Sequence, residues 1–284
     1  MTQAAPLLER QVRAADGHRW TLFARLPPEP RMAVLWLPAL GIAARHYLPF
    51  ADALVRRGVA VFLHEWRGHG SSSLRAGRRS DWGYRELLVQ DIPASQAEMD
   101  RLLPPGTPCA LGGHSLGGQL ACCRLALAPG TAAALWLVAS GAPYWRAFPM
   151  PHRAWLPFAY RFLPWLARVC GYLPGRRIGF GGNEAAGVIA DWARTAISGR
   201  YAARGLARDL DAGMAGLVQP VRALSFARDW LGPSGSLAFL LGKMPSATAA
   251  VACFDDHALG TRADHYAWMK APEAVADWLL AQPA

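Results

Sequence analysis

Short, largely apolar runs recur along the chain at intervals of a few tens of residues. They occupy residues 33–37, 59–63, 107–111, 132–139, 221–226 and 247–253. Each is too short for a buried helix and lacks polar alternation, which predicts strands covered on both faces, as in a parallel sheet. Helix-forming stretches separate the first four. Residues 47–57 end at Gly58, residues 82–103 contain Pro93 and are expected to kink there, and residues 119–128 end at Pro129-Gly130. Upstream, residues 7–14 and 19–26 flank Asp16-Gly17, a hairpin signal. Downstream, residues 237–241 read as helical, and a closing helix over residues 272–280 places Val275, Trp278 and Leu279 on one face. The alternation predicts an α/β fold with a mostly parallel central sheet and helices on both faces. Right-handed crossovers then bring the loops after residues 37, 63, 111 and 139 to one edge of the sheet.

Between residues 142 and 208 the strand rhythm stops. The expected organisation is a core formed by residues 1–141 and 209–284, with residues 142–208 as a helical cap insertion. Trp145, Phe148, Trp155, Phe158, Tyr160, Phe162, Trp165 and Tyr172 crowd this segment, and Pro149, Pro151, Pro157, Pro164 and Pro174 predict that it is chopped into short helices. A second helical piece spans residues 185–197. Three readings stay open for the aromatics: a wall over an apolar substrate pocket, a helical subdomain packed on itself, or an amphipathic Arg/Trp face touching a membrane.

Composition narrows the class. Of 284 residues, 52% are hydrophobic and 18% charged, which excludes global disorder and leaves ample material for a core. The net charge is +10, and only Lys243 and Lys270 are lysines, so arginine carries it. The arginines are spread along the chain without a recognisable binding module, which argues against nucleic acid and leaves attraction to anionic substrates or membrane surfaces. The first residues show no basic-then-apolar leader and no run reaches about 18 apolar residues, so stable membrane insertion is not expected. Five cysteines, with Cys122 and Cys123 adjacent, form neither a disulfide framework nor a ligand spacing. They read as reduced, mostly buried thiols of a cytoplasmic protein that needs no metal or cofactor.

The candidate chemistry lies where a predicted strand meets a helix. Gly113-His114-Ser115-Leu116-Gly117 fits G-x-S-x-G, in which a serine sits on a strained strand-to-helix turn that only glycines can flank. A serine hydroxyl needs a base, and the base an orienting acid. Of eight histidines, His265, just ahead of the last helix, is best placed, with His257 as the alternative. His114 would point away from the hydroxyl. Asp229, after the strand at 221–226, is the expected acid, whereas Asp255 and Asp256 follow a different strand and Asp209 and Asp211 precede it. The oxyanion donors would be the backbone amides of Leu116 and of Leu40, with Ala39 as the second choice for the latter.

Gly113-His114-Ser115-Leu116-Gly117-Gly118, together with Glu65-Trp66-Arg67-Gly68-His69-Gly70-Ser71 and His265, resembles the α/β-hydrolase superfamily. The likeness is to uncharacterised bacterial hydrolases, and more distantly to the serine aminopeptidase, monoglyceride lipase and esterase group. The second motif is similar to the family's D-x-R-G-x-G-x-S turn, with Glu65 in place of the aspartate. Pro38-Ala39-Leu40-Gly41 stands where the family often has His-Gly. The resemblance implies a serine hydrolase acting on a small-molecule acyl substrate, an ester, thioester or amide, through an acyl-enzyme formed on Ser115. An acyltransferase or peptidase on the same fold, or a non-catalytic binding protein, are the alternatives. Metal hydrolysis through Asp255, Asp256, His257, Asp264 and His265 is the weakest, for want of a ligand spacing.

Overall fold

The protein is described from a computed structural model covering residues 6–281. Met1 to Ala5, part of the stretch on which the expectation about a leader rests, lie outside the described residues. The hairpin forms as β1 (Leu7–Arg13) and β2 (Arg19–Arg25), paired antiparallel around Asp16-Gly17. Then follow β3 (Met32–Leu37), α1 (Leu48–Val55) and β4 (Val59–Leu63). The predicted helix over residues 82–103 forms α2 (Tyr84–Glu86), a π-turn at Leu87–Asp91 and α3 (Ile92–Leu102). Pro93 lies in the first turn of α3, where its missing N–H costs least, and the wide turn before it absorbs the break. The chain continues through β5 (Cys109–His114), α4 (Leu116–Leu127) and β6 (Ala134–Val138).

Beyond β6 lie α5 (His152–Cys170), β7 (Leu173–Pro174), α6 (Gly175–Ile178), β8 (Asn183–Glu184) and α7 (Ala186–Ser198). Two expectations fail here. The prolines do not chop the segment into short helices, because Pro157 and Pro164 sit inside one 19-residue helix. They lie seven residues apart and so on one side, while Leu156, Tyr160, Leu163 and Ala167 pack on another and hold the helix together. A strand pair also appears where none was expected, with β7 and β8 forming a two-residue antiparallel ribbon. The chain then closes through α8 (Leu210–Ala215), β9 (Val221–Phe226), α9 (Ser234–Leu241), β10 (Ala249–Phe254), α10 (Asp256–Leu259) and α11 (Glu273–Leu280).

The eight-stranded sheet has the order β1-β2-β4-β3-β5-β6-β9-β10. From β4 to β10 every pairing is parallel, and β2 joins β4 antiparallel. Strand parity divides the apolar runs between two cores. Leu35 and Leu37 face the layer containing Leu120 and Leu125 of α4, while Val34 and Trp36 face Phe50, Leu54 and Trp268 on the opposite side. The chain leaves β3 for β4 on one side and later places β5 on the other. This switch point opens the crevice at the strand ends where open α/β sheets build their sites. All five cysteines are free thiols, but only Cys122 and Cys123 are buried, and Cys253 is exposed on the edge strand β10.

Candidate active site

Ser115 follows β5 and caps α4 with φ 54° and ψ −118°, a conformation side chains rarely adopt. The glycines around it are required by contact. A Cβ on Gly113 would lie 2.3 Å from the Gly117 carbonyl carbon, and one on Gly117 would lie 2.0 Å from the Leu37 oxygen. One on Gly118 would meet Ser140 Oγ at 2.2 Å. The Ser115 amide donates to Val138 O at 3.1 Å, which ties the turn to β6. Leu116 opens α4, where first-turn N–H groups have no acceptor within the helix.

Asp229 and His265 meet although 36 residues separate them. His265 Nδ1 lies 2.7 Å from Asp229 Oδ2, and both side chains are buried. The other carboxylate oxygen accepts from the amides of Leu231 at 2.9 Å and Gly232 at 3.0 Å, so the aspartate is fixed from both ends. The two loops are joined by the Arg228 amide donating to Ala263 O at 2.9 Å and by an Arg228–Asp256 ion pair. His257 is exposed on α10 and does not line the cleft described below. The remaining acids have local duties. Asp255 caps α10, Asp264 accepts from the amides of Tyr266 and Ala267, and Asp209 caps α8.

The loop after β3 is held by the Glu65-Trp66-Arg67-Gly68-His69 turn and by Tyr47. Trp66 Nε1 donates to Pro38 O at 2.8 Å, and Glu65 accepts from the amides of Ala44 and Ser71 at 3.0 and 3.2 Å. The longer acid thus spans two backbones. Burial raises its pKa, opposed by those two amides. The Ala39 amide donates to the Tyr47 hydroxyl at 2.9 Å, which removes Ala39 as an oxyanion donor. The same hydroxyl forms a hydrogen bond with His114 Nδ1 at 2.9 Å. His114 is fully buried, with its ring 4.8 Å from that of His265. Burial, followed by the neighbouring His265, pushes its pKa well below the ordinary imidazole value, so it is neutral.

Gly41 makes the last turn of this loop at φ +78°, and a Cβ there would lie 2.2 Å from the Gly182 amide. The loop ahead of β8 therefore rests directly on the loop after β3. Glu184 secures it, accepting from the Gly182 amide at 2.7 Å and meeting His69 Nε2 at 2.9 Å in a buried ion pair. Burial opposes charge on His69, but Glu184 and Glu65 outweigh it and hold its pKa above the ordinary value.

Ser115, Leu116, Leu40 and His265 all line one cleft of about 320 Å³. Its far wall comes from residues 142–208, including Phe148, Trp155, Tyr160, Leu163 and Trp192. The aromatic segment thus divides. Phe148, Trp155 and Tyr160 face the cleft, whereas Phe158, Phe162 and Trp165 face outward. Trp192 and Trp230 also line the cleft and were not anticipated, since nothing in their immediate sequence ties them to Ser115.

A second Ser–His–Asp string exists. His18 bridges Asp91 Oδ1 at 3.2 Å and Ser72 Oγ at 2.9 Å, with Arg67 bonded to Asp91 through two nitrogens. Burial works to raise the Asp91 pKa, but His18 and the guanidinium hold it below the usual carboxylate range. Ser72, His18 and Asp91 are buried and lie outside the cleft, so this string is a structural brace joining the β1–β2 turn, the Arg67 turn and the π-turn ahead of α3.

The family profile described as serine aminopeptidase, S33, matches residues 28–192. No curated protein sequence matches the chain significantly. Several solved structures resemble it over almost all of its length. An esterase from Exiguobacterium antarcticum is 13% identical, with 96% of this chain and 98% of that one covered and a TM-score of 0.63. An α/β hydrolase from a Penicillium species is 14% identical, with 97% and 96% covered and a TM-score of 0.62. A hydrolase from Pseudomonas aeruginosa is 19% identical, with 96% and 98% covered and a TM-score of 0.58. At these identities the likeness is one of fold, the α/β-hydrolase fold.

Proposed function

The chain belongs to the serine aminopeptidase, S33, family of the α/β-hydrolase superfamily, and we propose that it is a serine hydrolase of a carboxylic ester or thioester with an apolar acyl part. The observation that carries this reading is the 2.7 Å His265–Asp229 contact in the cleft that also holds Ser115. Asp229 fixes the imidazole with Nδ1 protonated, which leaves Nε2 as the base for the Ser115 hydroxyl. The oxygen attacks the acyl carbonyl and the proton passes to His265. The amides of Leu116 and Leu40 receive the developing oxyanion, since the Ala39 amide is already engaged by Tyr47. His265 then protonates the leaving group, and water, activated in the same way, releases the acid from the acyl-enzyme. No step requires a metal or an organic cofactor. The apolar lining suits a hydrocarbon acyl chain better than a peptide backbone, whose amide groups would be left without partners there. Residues 142–208 act as a cap over this chain.

A fluorophosphonate probe tests the assignment. Purified protein should be labelled at Ser115, with labelling lost in Ser115→Ala and strongly reduced in His265→Ala, and with both variants folded. Unlabelled Ser115 in well-folded wild-type protein would overturn it. A series of esters of increasing acyl length then reads the substrate class, and product analysis with competing acceptors separates hydrolysis from acyl transfer.

A further inference from the structure

Helix α5 carries two apolar faces. Leu156, Tyr160, Leu163 and Ala167 form the buried one. Trp155, Phe158, Phe162, Trp165 and Val169 recur three and four residues apart and are 43, 74, 50, 56 and 50% exposed. At about 100° per residue these five fall on a stripe roughly opposite the buried face. A contiguous aromatic stripe of this kind, unlike scattered surface residues, marks an interaction site.

Charge identifies the partner. No Asp or Glu occurs between Asp100 and Glu184. Within that span Arg146, Arg153, Arg161, Arg168, Arg176 and Arg177 are all exposed, and none forms an ion pair among the described residues. Arg161 and Arg168 are spaced to flank the stripe along one edge. A second copy of this chain would set one acid-free basic face against another, which is unfavourable. An anionic bilayer suits both features. Aromatic side chains settle at the headgroup boundary, and flanking arginines reach the phosphates.

We propose that this face of α5 docks the protein on an anionic lipid surface. It lies on the bilayer and does not cross it, since no described helix is long and apolar enough to span a membrane. Trp155 belongs to both the stripe and the cleft wall, and Ile178 and Trp230, also at the cleft, are exposed beside solvent. Docking therefore brings the cleft mouth to the lipid, so that an apolar acyl substrate passes from bilayer to Ser115 without crossing water. That last consequence rests on the function proposed above, whereas the docking itself does not.

Cosedimentation with vesicles of phosphatidylcholine, alone or mixed with phosphatidylglycerol, provides the test. Wild-type protein should bind the mixed vesicles, release with added salt and leave pure phosphatidylcholine largely unbound. Phe158→Ser with Phe162→Ser should weaken binding by at least about tenfold. Arg161→Gln with Arg168→Gln should weaken it about fivefold per arginine, on anionic vesicles only. Both double variants should keep wild-type thermal unfolding and wild-type turnover of a short, water-soluble ester. Ser115→Ala should bind vesicles as wild type does, so failure of the catalytic assignment and failure of docking are read separately. No binding to anionic vesicles at low salt, or binding indifferent to both double variants, overturns the proposal. So does a dimer in solution that the phenylalanine variant dissociates, which would assign the face to a second copy.

Discussion

Tyr47 joins the loop that carries Leu40 to the buried His114 beside His265. Its replacement by phenylalanine leaves two buried partners, the Ala39 amide and His114 Nδ1, without bonds, at a cost of about 1–3 kcal/mol each. If the Leu40 amide receives the oxyanion, Tyr47→Phe should lower kcat with little change in KM, because the loop is displaced and the acyl pocket is not. Steady-state kinetics on a short ester, beside a thermal melt, separates this from general destabilisation. Ser115 invites a different test. Its positive φ stores strain that glycine relieves and alanine does not, so Ser115→Gly should be more stable than Ser115→Ala by about 1 kcal/mol. Thermal unfolding of the two variants checks it. Asp229→Asn should lower kcat by roughly 10⁴-fold, since an amide favours the wrong imidazole tautomer. The meeting of Asp229 and His265 in one cleft with Ser115 was legible because each stands at a fixed place relative to a strand end or a final helix. Tyr47 was not, because nothing in a helix-opening tyrosine points to a histidine 67 residues away.

Among the elements, the continuous apolar strands were the easiest to read, and β9 falls where its run predicts. The ribbon of β7 and β8 was invisible, since two residue pairs among glycines and prolines have no periodicity to detect. Prolines misled over α5, where packing along one face outweighs two lost backbone bonds. The His69–Glu184 pair, which pins β8 to the turn after β4, carries a pH dependence of definite sign. Its imidazole has a raised pKa in the folded state. The stabilisation is therefore complete below the ordinary imidazole value and is lost as pH rises through the folded value. The difference in unfolding temperature between wild type and His69→Gln should be widest near about pH 5.5 and shrink toward about pH 9. A difference that grows with pH would contradict the assignment.

For the whole molecule, the parallel core and the edge on which Ser115 lies follow from the alternation of runs. The order of strands and the path of residues 142–208 do not, because both are decided by contacts distant in sequence. The cleft is shared between these two parts, so its depth can be altered from the outer wall alone. Ala159 lines it on α5. Ala159→Trp should leave turnover of an acetyl ester near wild type and reduce that of long-chain esters by at least about tenfold, as an overfilled pocket excludes the chain end. A chain-length series of esters reads this directly. The adjacency of β6 and β9 has a broader consequence. The chain departs from the sheet after Val138 and re-enters at Val221 on the next strand, bonded to the one it left. The β6–β9 ladder therefore does not depend on the outer part of the intervening segment, whereas Leu210, Met214 and Leu217 near its end pack into the core and have to be kept. The architecture thus works as a socket, in which a fixed sheet edge accepts interchangeable roofs. Grafting the outer part of that segment from a relative is accordingly a way to reshape the cleft while its floor at Ser115 stays in place.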